Sequence, residues 1–259
     1  MALIAMAVFD TEENKRTELT RSTLLSLYDT VDWDKHRLFI IDNNSCGATK
    51  TMFGNMAIRN PMLNWTVITL PENIGTACAI NKAWALRNPG EHCIKMDNDV
   101  VIHQSGWVDE MEEAIANDPL IGQIGLKRKD CWEFPGHANP EFRSELIMLP
   151  HIAGDRWRVV ERQKHIIGTC VMHSSALLDK VGYLWQPGLY GHDDVVMSHR
   201  SELAGFYNCM LPHINIDHID HGETSYQGWK EKYAGEQTQQ VIDVVHQMIR
   251  GERSIYFEM

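Results

Sequence analysis

Short apolar runs alternate with polar turns along the whole chain. Ala2 to Phe9 is apolar throughout and reads as a buried strand. Asp10 to Lys15 turns the chain, and Thr17 to Tyr28 sets Leu19, Leu24, Leu25 and Leu27 at broadly helical intervals. Arg37 to Ile41 is a second strand that stops in Asp42-Asn43-Asn44-Ser45. A helix is expected over Asn55 to Asn60, then a β-branched strand over Asn64 to Leu70. Pro71 to Thr76 is a turn, and Ala77 to Leu86 a helix closed by Asn88-Pro89-Gly90. Cys93 to Met96 is the fourth strand. This alternation predicts an α/β fold with a mostly parallel central sheet flanked by helices. Polar residues gather just past the carboxyl ends of the strands, where open α/β sheets bind ligands.

The second half is less regular. A helix over Trp107 to Ala116 and a strand over Ile121 to Leu126 precede Cys131 to Arg162, a long aromatic, Pro, Gly, His and Arg-rich stretch with weak periodicity. It reads equally as irregular surface or as a loop over a substrate. His165 to Met172 is a strand and Ser174 to Val181 a helix. A helix over Val195 to Ala204 and a strand over Gly205 to His213 follow. His213, just past that strand, is expected to pack. Val241 to Ile249 is a C-terminal helix. No internal repeat or low-complexity linker divides the chain, so one domain is expected over 1–259.

Composition narrows the class. The chain has 259 residues, 44% hydrophobic and 23% charged, as an ordinary globular protein does. No apolar stretch is long enough to span a bilayer. The first nine residues lack a basic flank and run into acids, so they read as a strand and the protein as cytoplasmic. Six scattered cysteines without a C-x-x-C pair fit reduced thiols. A net charge of −11 argues against a broad polyanion-binding surface. Lys127, Arg128, Lys129, Arg156, Arg158, Arg162 and Lys164 nevertheless bracket the irregular stretch and form a local basic bias.

Ile94 to Val101, read IKMDNDVV, ends an apolar strand in Asp97-Asn98-Asp99. On an extended backbone, carboxylates at i and i+2 point the same way and repel unless a cation such as Mg²⁺ or Mn²⁺ joins them. Alone, the motif reads more readily as the end of a strand and the start of a turn.

The order of FIIDNNS, PENIGTACAINKA, IKMDNDV, IGTCVMHSSALLDKVGYL and GHDDVVMSHRSELAGF resembles the nucleotide-sugar-dependent glycosyltransferases of the GT-A fold, family 2 most closely, over about residues 3 to 225. The resemblance implies a single GT-A (Rossmann-like) domain: a nucleotide-binding half over 1–101, an acceptor and catalytic half over 102–225, and a C-terminal helical tail over 226–259. It implies that Asp42 accepts a hydrogen bond from the base of the nucleotide. Asn73, Gly75 and Asn81 match the family's N-x-G…N pattern beside the nucleotide. The usual basic residue before the second Asn is Ile80 here, and Lys82 stands one position later; the usual Gly after it is Ala83.

Asp97 and Asp99 correspond to the family's D-x-D, with Asp97 near ribose and metal and Asp99 on the metal. Asp194 falls on the general-base position and Asp193 on the acidic position before it, counting back from Arg200. A further metal ligand is expected from His218 or His221, the latter in His221-Gly222 ahead of Ser225.

The resemblance therefore implies a Mn²⁺- or Mg²⁺-dependent, inverting transferase. It would move a sugar from a nucleoside diphosphate donor, UDP preferred, to a hydroxyl of a glycan or small glycoside. The basic bias keeps hydroxymethylated bases of phage DNA open as an alternative acceptor. A sugar-phosphate nucleotidyltransferase should carry a glycine-rich loop after the first strand, and Phe9 to Lys15 has no Gly. A non-catalytic nucleotide-sugar or glycan-binding module would lack the base that Asp194 offers. The oligomeric state is not legible in the sequence.

Overall fold

The computed structural model describes residues 1–59, 64–130, 145–149, 158–220 and 225–258. A ten-stranded sheet runs through it in the order β3-β2-β1-β4-β9-β6-β10-β8-β7, with β5 paired to β10. The strands are β1 (Ala2–Val8), β2 (Arg37–Asp42), β3 (Trp65–Thr69), β4 (His92–Met96), β5 (Val100–Ile102), β6 (Ile121–Arg128), β7 (Glu145–Leu149), β8 (Arg158–Gln163), β9 (Cys170–His173) and β10 (Tyr207–His218).

The helices are α1 (Thr17–Thr30), α2 (Gly47–Arg59), α3 (Thr76–Trp84), α4 (Trp107–Asn117), α5 (Ser175–Val181), α6 (Asp193–Leu203) and α7 (Ser225–Ile249). No helix among the described residues is long and apolar enough to cross a membrane. The described cysteines, Cys46, Cys78, Cys93, Cys170 and Cys209, form no disulfide.

Strand β1 shows why the sheet is buried on both faces. Ala2, Ile4, Met6 and Val8 point into one core with Leu24 and Leu27 of α1 and Trp107 and Met111 of α4. Leu3 and Ala5 point into the other, with Ile80 and Trp84 of α3 and Leu177 of α5. Alternation of side chains across a strand makes a continuous apolar run serve two cores at once.

β1 lies parallel to both β2 and β4. The chain winds outward from β1 through β2 to β3, then returns to the far side of β1 as β4. That reversal opens a crevice at the carboxyl ends of β1 and β4, where doubly wound sheets take their ligands. Beyond β4 the sheet is mixed: β9 is antiparallel to β4 and β6, β10 is parallel to β6, and β8 is antiparallel to β10 and β7.

Several elements differ from the sequence reading. α2 begins at Gly47 rather than Asn55, because Asp42 Oδ1 accepts from Ser45 N at 2.7 Å and tightens the chain before it. The strand expected from His165 begins at Cys170. β10 runs through Pro212 to His218; its pairing with β6 is irregular between Leu211 and Asn215, where a residue without an N–H is tolerated. His213 does not pack: it is exposed, with Nε2 2.8 Å from Glu110 Oε2. Most of Cys131 to Arg162 lies outside the described residues, and the part within them forms the hairpin β7–β8.

The C-terminal helix spans 25 residues from Ser225, not nine. Its Val241, Val244, Val245 and Met248 bury against Val196 of α6, so the expected tail is packed onto the domain.

Candidate active site

The crevice between β1 and β4 is a cleft of about 440 Å³. Asp97, Asp99, Asp193, Asp194 and His218 all line it. Segments far apart in sequence are therefore joined by the strand ends. Of the two conformations the motif offers, the turn is the one adopted: β4 stops at Met96, and Asp97-Asn98-Asp99 leads into β5 without extended chain. Asp97 faces the cleft with its side chain 36% exposed, while that of Asp99 is only 4% exposed.

The turn is held by the loop after β1. Arg16, buried, donates from Nη2 to Asp99 Oδ2 at 2.6 Å and to Asn98 Oδ1 at 3.3 Å, and pairs through Nη1 with Asp220. Asn98 Nδ2 donates to Asp10 Oδ1 at 3.0 Å, and Thr20 Oγ1 to Asp10 Oδ2 at 2.7 Å. Burial raises the Asp10 carboxyl above its ordinary range against these hydrogen bonds. His218 Nε2 lies 3.4 Å from Asp99 Oδ2. Although burial opposes it, His218 and Arg16 hold the Asp99 carboxyl well below the usual carboxylate range. Burial at the cleft floor, with Asp99 and Asp193 nearby, pushes Asp97 up to about 6 against the Lys95 charge.

The second acidic pair sits in the first turn of α6. Gly191 and His192 both adopt left-handed backbone, with φ 96° and 64°, and swing the chain so that α6 starts at Asp193, two residues before the expected start. Asp193 Oδ2 lies 2.8 Å from Lys95 Nζ. Asp194 Oδ2 accepts from Gly168 N at 3.0 Å and lies 3.5 Å from His165 Nε2; Oδ1 accepts from Val195 N at 2.8 Å. Burial alone would raise Asp194, but His165, Lys95 and the Gly168 N–H hold it well below the ordinary range. A Cβ at Gly168 would stand 2.6 Å from Lys95 Nζ and 3.1 Å from Asp194 Cβ, so only glycine leaves both side chains their places.

The nucleotide-side residues divide. Asn73 lines the cleft and its Oδ1 accepts from Asn43 Nδ2 at 2.7 Å and from Gly75 N at 2.9 Å. Gly75 adopts φ +86°, and a Cβ there would meet Leu189 Cα at 2.9 Å. Asp42 is fully buried beneath the turn and does not line the cleft; Asn43, next in sequence, does.

Asn81 also stands away from the cleft. Its Nδ2 donates to Leu184 O at 2.9 Å and its Oδ1 accepts from Leu184 N at 3.0 Å, a pairing that ties α3 to the chain after α5. Lys82 is exposed and is not among the cleft-lining residues. His221 lies outside the described residues, so of the two late histidines His218 alone is placed.

Lys95, Arg16, Asn43, His165 and Lys230 were missed by the sequence reading. Lys95 carried one signal: a charge inside the strand HCIKM, two residues before Asp97 and hence on the same face. Arg200, a landmark in the motif, does not reach the cleft. It is fully buried, donating to Tyr183 O at 2.7 Å, to Ile255 O at 2.7 Å and to Val181 O, and so anchors the C-terminal segment to α6.

Asp97, Asp99 and His218 offer two carboxylates and an imidazole, a donor set suited to Mn²⁺ or Mg²⁺. Asp99 Oδ1 is buried with no hydrogen-bond partner among the described residues, as an oxygen reserved for a cation would be. A tighter cluster, His36, Asp109 and Glu112 with ligand atoms within 4.8 Å, lies at the opposite ends of the strands. There His36 Nδ1 accepts from Ala2 N at 3.2 Å, so the neutral ring carries its proton on Nε2 and presents no lone pair.

No protein-family profile and no curated protein sequence matches the chain. Solved structures do. The mannosyltransferase PcManGT from Pyrobaculum calidifontis, in complex with GDP-Man and Mn²⁺, superposes with TM-score 0.67 at 16% identity, over 88% of this chain and 59% of that one. GalNAc-T7 with UDP, GalNAc and Mn²⁺ gives 0.61 at 13% over 85% and 43%. S. aureus TarS 1-349 gives 0.59 at 17% over 85% and 61%. The chain has the GT-A glycosyltransferase fold. It spans between 43% and 61% of the length of these three solved chains.

Proposed function

We propose that the protein is a metal-dependent, inverting glycosyltransferase that moves a sugar from a nucleoside diphosphate donor, UDP preferred, to a hydroxyl of a glycan or small glycoside. One observation carries this reading: the acids after β4 and the acids opening α6 line one cleft together with His218. The neighbours in fold support it, since their structures hold GDP-Man, UDP or UDP-GlcNAc, two of them with Mn²⁺.

In this reading Asp97, Asp99 and His218 hold the cation. When bound, it neutralises charge on the departing diphosphate. Asn43 and Asn73, at the carboxyl end of β2 and the turn before α3, flank the base of the nucleotide. Arg16, held by Asp99 and Asp220, positions Asp99 for the cation, and Lys230, with Nζ 3.4 Å from Asp220 Oδ2, lines the cleft on the same side. Asp194 takes the acceptor proton as that oxygen bonds to the anomeric carbon and the bond from this carbon to the diphosphate oxygen breaks. Its two backbone hydrogen bonds fix its aim, and its low pKa keeps it ionised. Asp193, with Oδ2 held 2.8 Å from Lys95 Nζ, is less free to turn toward an acceptor.

Five of the seven basic residues around the irregular stretch are paired with acids, which weakens the case for a polyanionic acceptor. Lys127 pairs with Glu161, Lys129 with Asp217, Arg128 with Asp130, Arg158 with Glu110 and Glu113, and Arg162 with Glu145. Charges already paired with acids add little to binding of a polyanion. The test is incubation with a panel of UDP- and GDP-sugars and Mn²⁺, measuring nucleotide release with and without glycan, glycoside and modified-DNA acceptors. Absence of nucleotide release with every donor tried would overturn the reading.

A further inference from the structure

Lys95 is a charged side chain rooted in the apolar strand β4 and only 7% exposed. Its Nζ is 2.8 Å from Asp193 Oδ2 and 3.9 Å from Asp97 Oδ1, the latter beyond hydrogen-bond reach. An ammonium has three N–H groups, so Asp193 engages one and leaves donors for a ligand. The position Gly168 leaves open is 2.6 Å from Lys95 Nζ and 3.4 Å from Asp194 Oδ2, which puts the ammonium between the Asp97 side of the cleft and the Asp194 side.

Under the transferase reading, on which this inference rests, the diphosphate lies toward Asp97 and Asp99 and the acceptor toward Asp194. The transferred sugar then lies over Lys95. We infer that Lys95, clamped by Asp193, donates to a hydroxyl of the transferred sugar and selects neutral sugars over uronic acids. The charge balance sets the sign. Lys95 is already offset by Asp193, and the Asp194 carboxylate stands beside the same opening, so a sugar carboxylate meets a repulsion that a neutral hydroxyl does not. A neutral hydroxyl meets a fixed donor beside a fixed acceptor, the arrangement by which sites reject ligands lacking a matching group.

The experiment is calorimetric titration of the full chain with Mn²⁺ present, using UDP, UDP-GlcNAc and UDP-glucuronate, with GDP and GDP-mannose in parallel. The wild type is expected to bind the neutral nucleotide sugar more tightly than the nucleoside diphosphate, and UDP-glucuronate more weakly than UDP-GlcNAc. Lys95→Met should keep the nucleoside diphosphate affinity and lose the sugar increment, about tenfold or more for one charged hydrogen bond. Because Lys95→Met leaves Asp193 buried and unbalanced, the double variant Lys95→Met with Asp193→Asn serves where the single one does not fold. Asp193→Asn alone frees the Lys95 charge and should shift preference toward UDP-glucuronate.

A sugar increment that survives in both Lys95 variants overturns the inference. So does equal loss of diphosphate and sugar binding, or a uronate preference that Asp193→Asn leaves unmoved. Binding of no nucleotide by the wild type instead overturns the donor reading itself, and this inference with it.

Discussion

Arg16 Nη2 donates to Asp99 Oδ2 at 2.6 Å, and both side chains are buried. An internal cation thus stands on one oxygen of the acid assigned to the metal, and through Asp220 it also fastens the chain after β10. Replacing Arg16 by Gln should leave two carboxylates buried without their cation and lower stability by about 3 to 5 kcal/mol. Mn²⁺ should restore more stability to this variant than it adds to the wild type, because a ligand that binds the native state stabilises it. Urea unfolding with and without Mn²⁺ reads both effects. Asp99→Ala should fold but lose metal-dependent UDP binding; unchanged affinity with and without Mn²⁺ would remove Asp99 from the metal site.

Asp194→Asn should retain donor binding and lose transfer by about 10² to 10⁴-fold, the usual worth of a general base. Single-turnover transfer beside donor titration separates the two. If Asp193→Asn alone abolishes transfer with donor affinity intact, the base is Asp193.

Arg200 and Asn81 belong to the motif but are expected to act on the fold. Arg200→Met strips donors from the carbonyls of Tyr183, Ile255 and Val181, and hydrogen bonds from a charged group are worth about 1.5 to 3 kcal/mol each. Asn81→Ala loses both bonds to the Leu184 backbone, at about 1 to 3 kcal/mol for each buried group left unsatisfied. Both variants should unfold at lower denaturant while the surviving folded protein binds UDP normally. A large loss of UDP affinity in folded Asn81→Ala would return that residue to the nucleotide site.

His173 lies in β9 opposite Cys93 of β4, accepting through Nε2 from Gln123 Nε2 at 3.0 Å and packed on Trp84. Burial, with help from the Lys95 charge, pushes its pKa down to about 3. In the unfolded chain it takes a proton near pH 6.5. Between these values the unfolded state binds more protons, so stability falls as pH drops below about 6.5. At pH 5 the loss from this group is about 2 kcal/mol. Burial lowers His36 and His92 too, adding in the same direction. Urea midpoints at pH 7 and pH 5 check the slope, which His173→Asn should flatten.

β1, β2 and β4 were legible because each is a near-continuous apolar run, and burial on both faces leaves no polar face to blur the pattern, whereas the largely exposed β3 showed itself through β-branched residues. α2 and α7 were read short. Their stretches Gly47 to Asn55 and Ser225 to Gln240 are mostly polar, so periodicity gives little sign of helix there. Asp97, Asp99, Asp193, Asp194 and His218, singled out through motifs at strand and helix ends, all line the one cleft. Lys82 and Asn81 were assigned by motif position alone; neither lines the cleft, and Asn81 is bound to the Leu184 backbone.

The sequence by itself determined the α/β alternation, the apolar strands and the acids that end or begin elements, because these are local patterns of hydrophobicity and spacing. Only the tertiary structure decided which of those acids meet. The return of β4 to the far side of β1 brings Arg16 to Asp99 across 83 positions. The left-handed turn at Gly191 and His192 carries Asp193 to Lys95. Such pairings depend on strand order and backbone direction, quantities that no window of neighbouring residues contains.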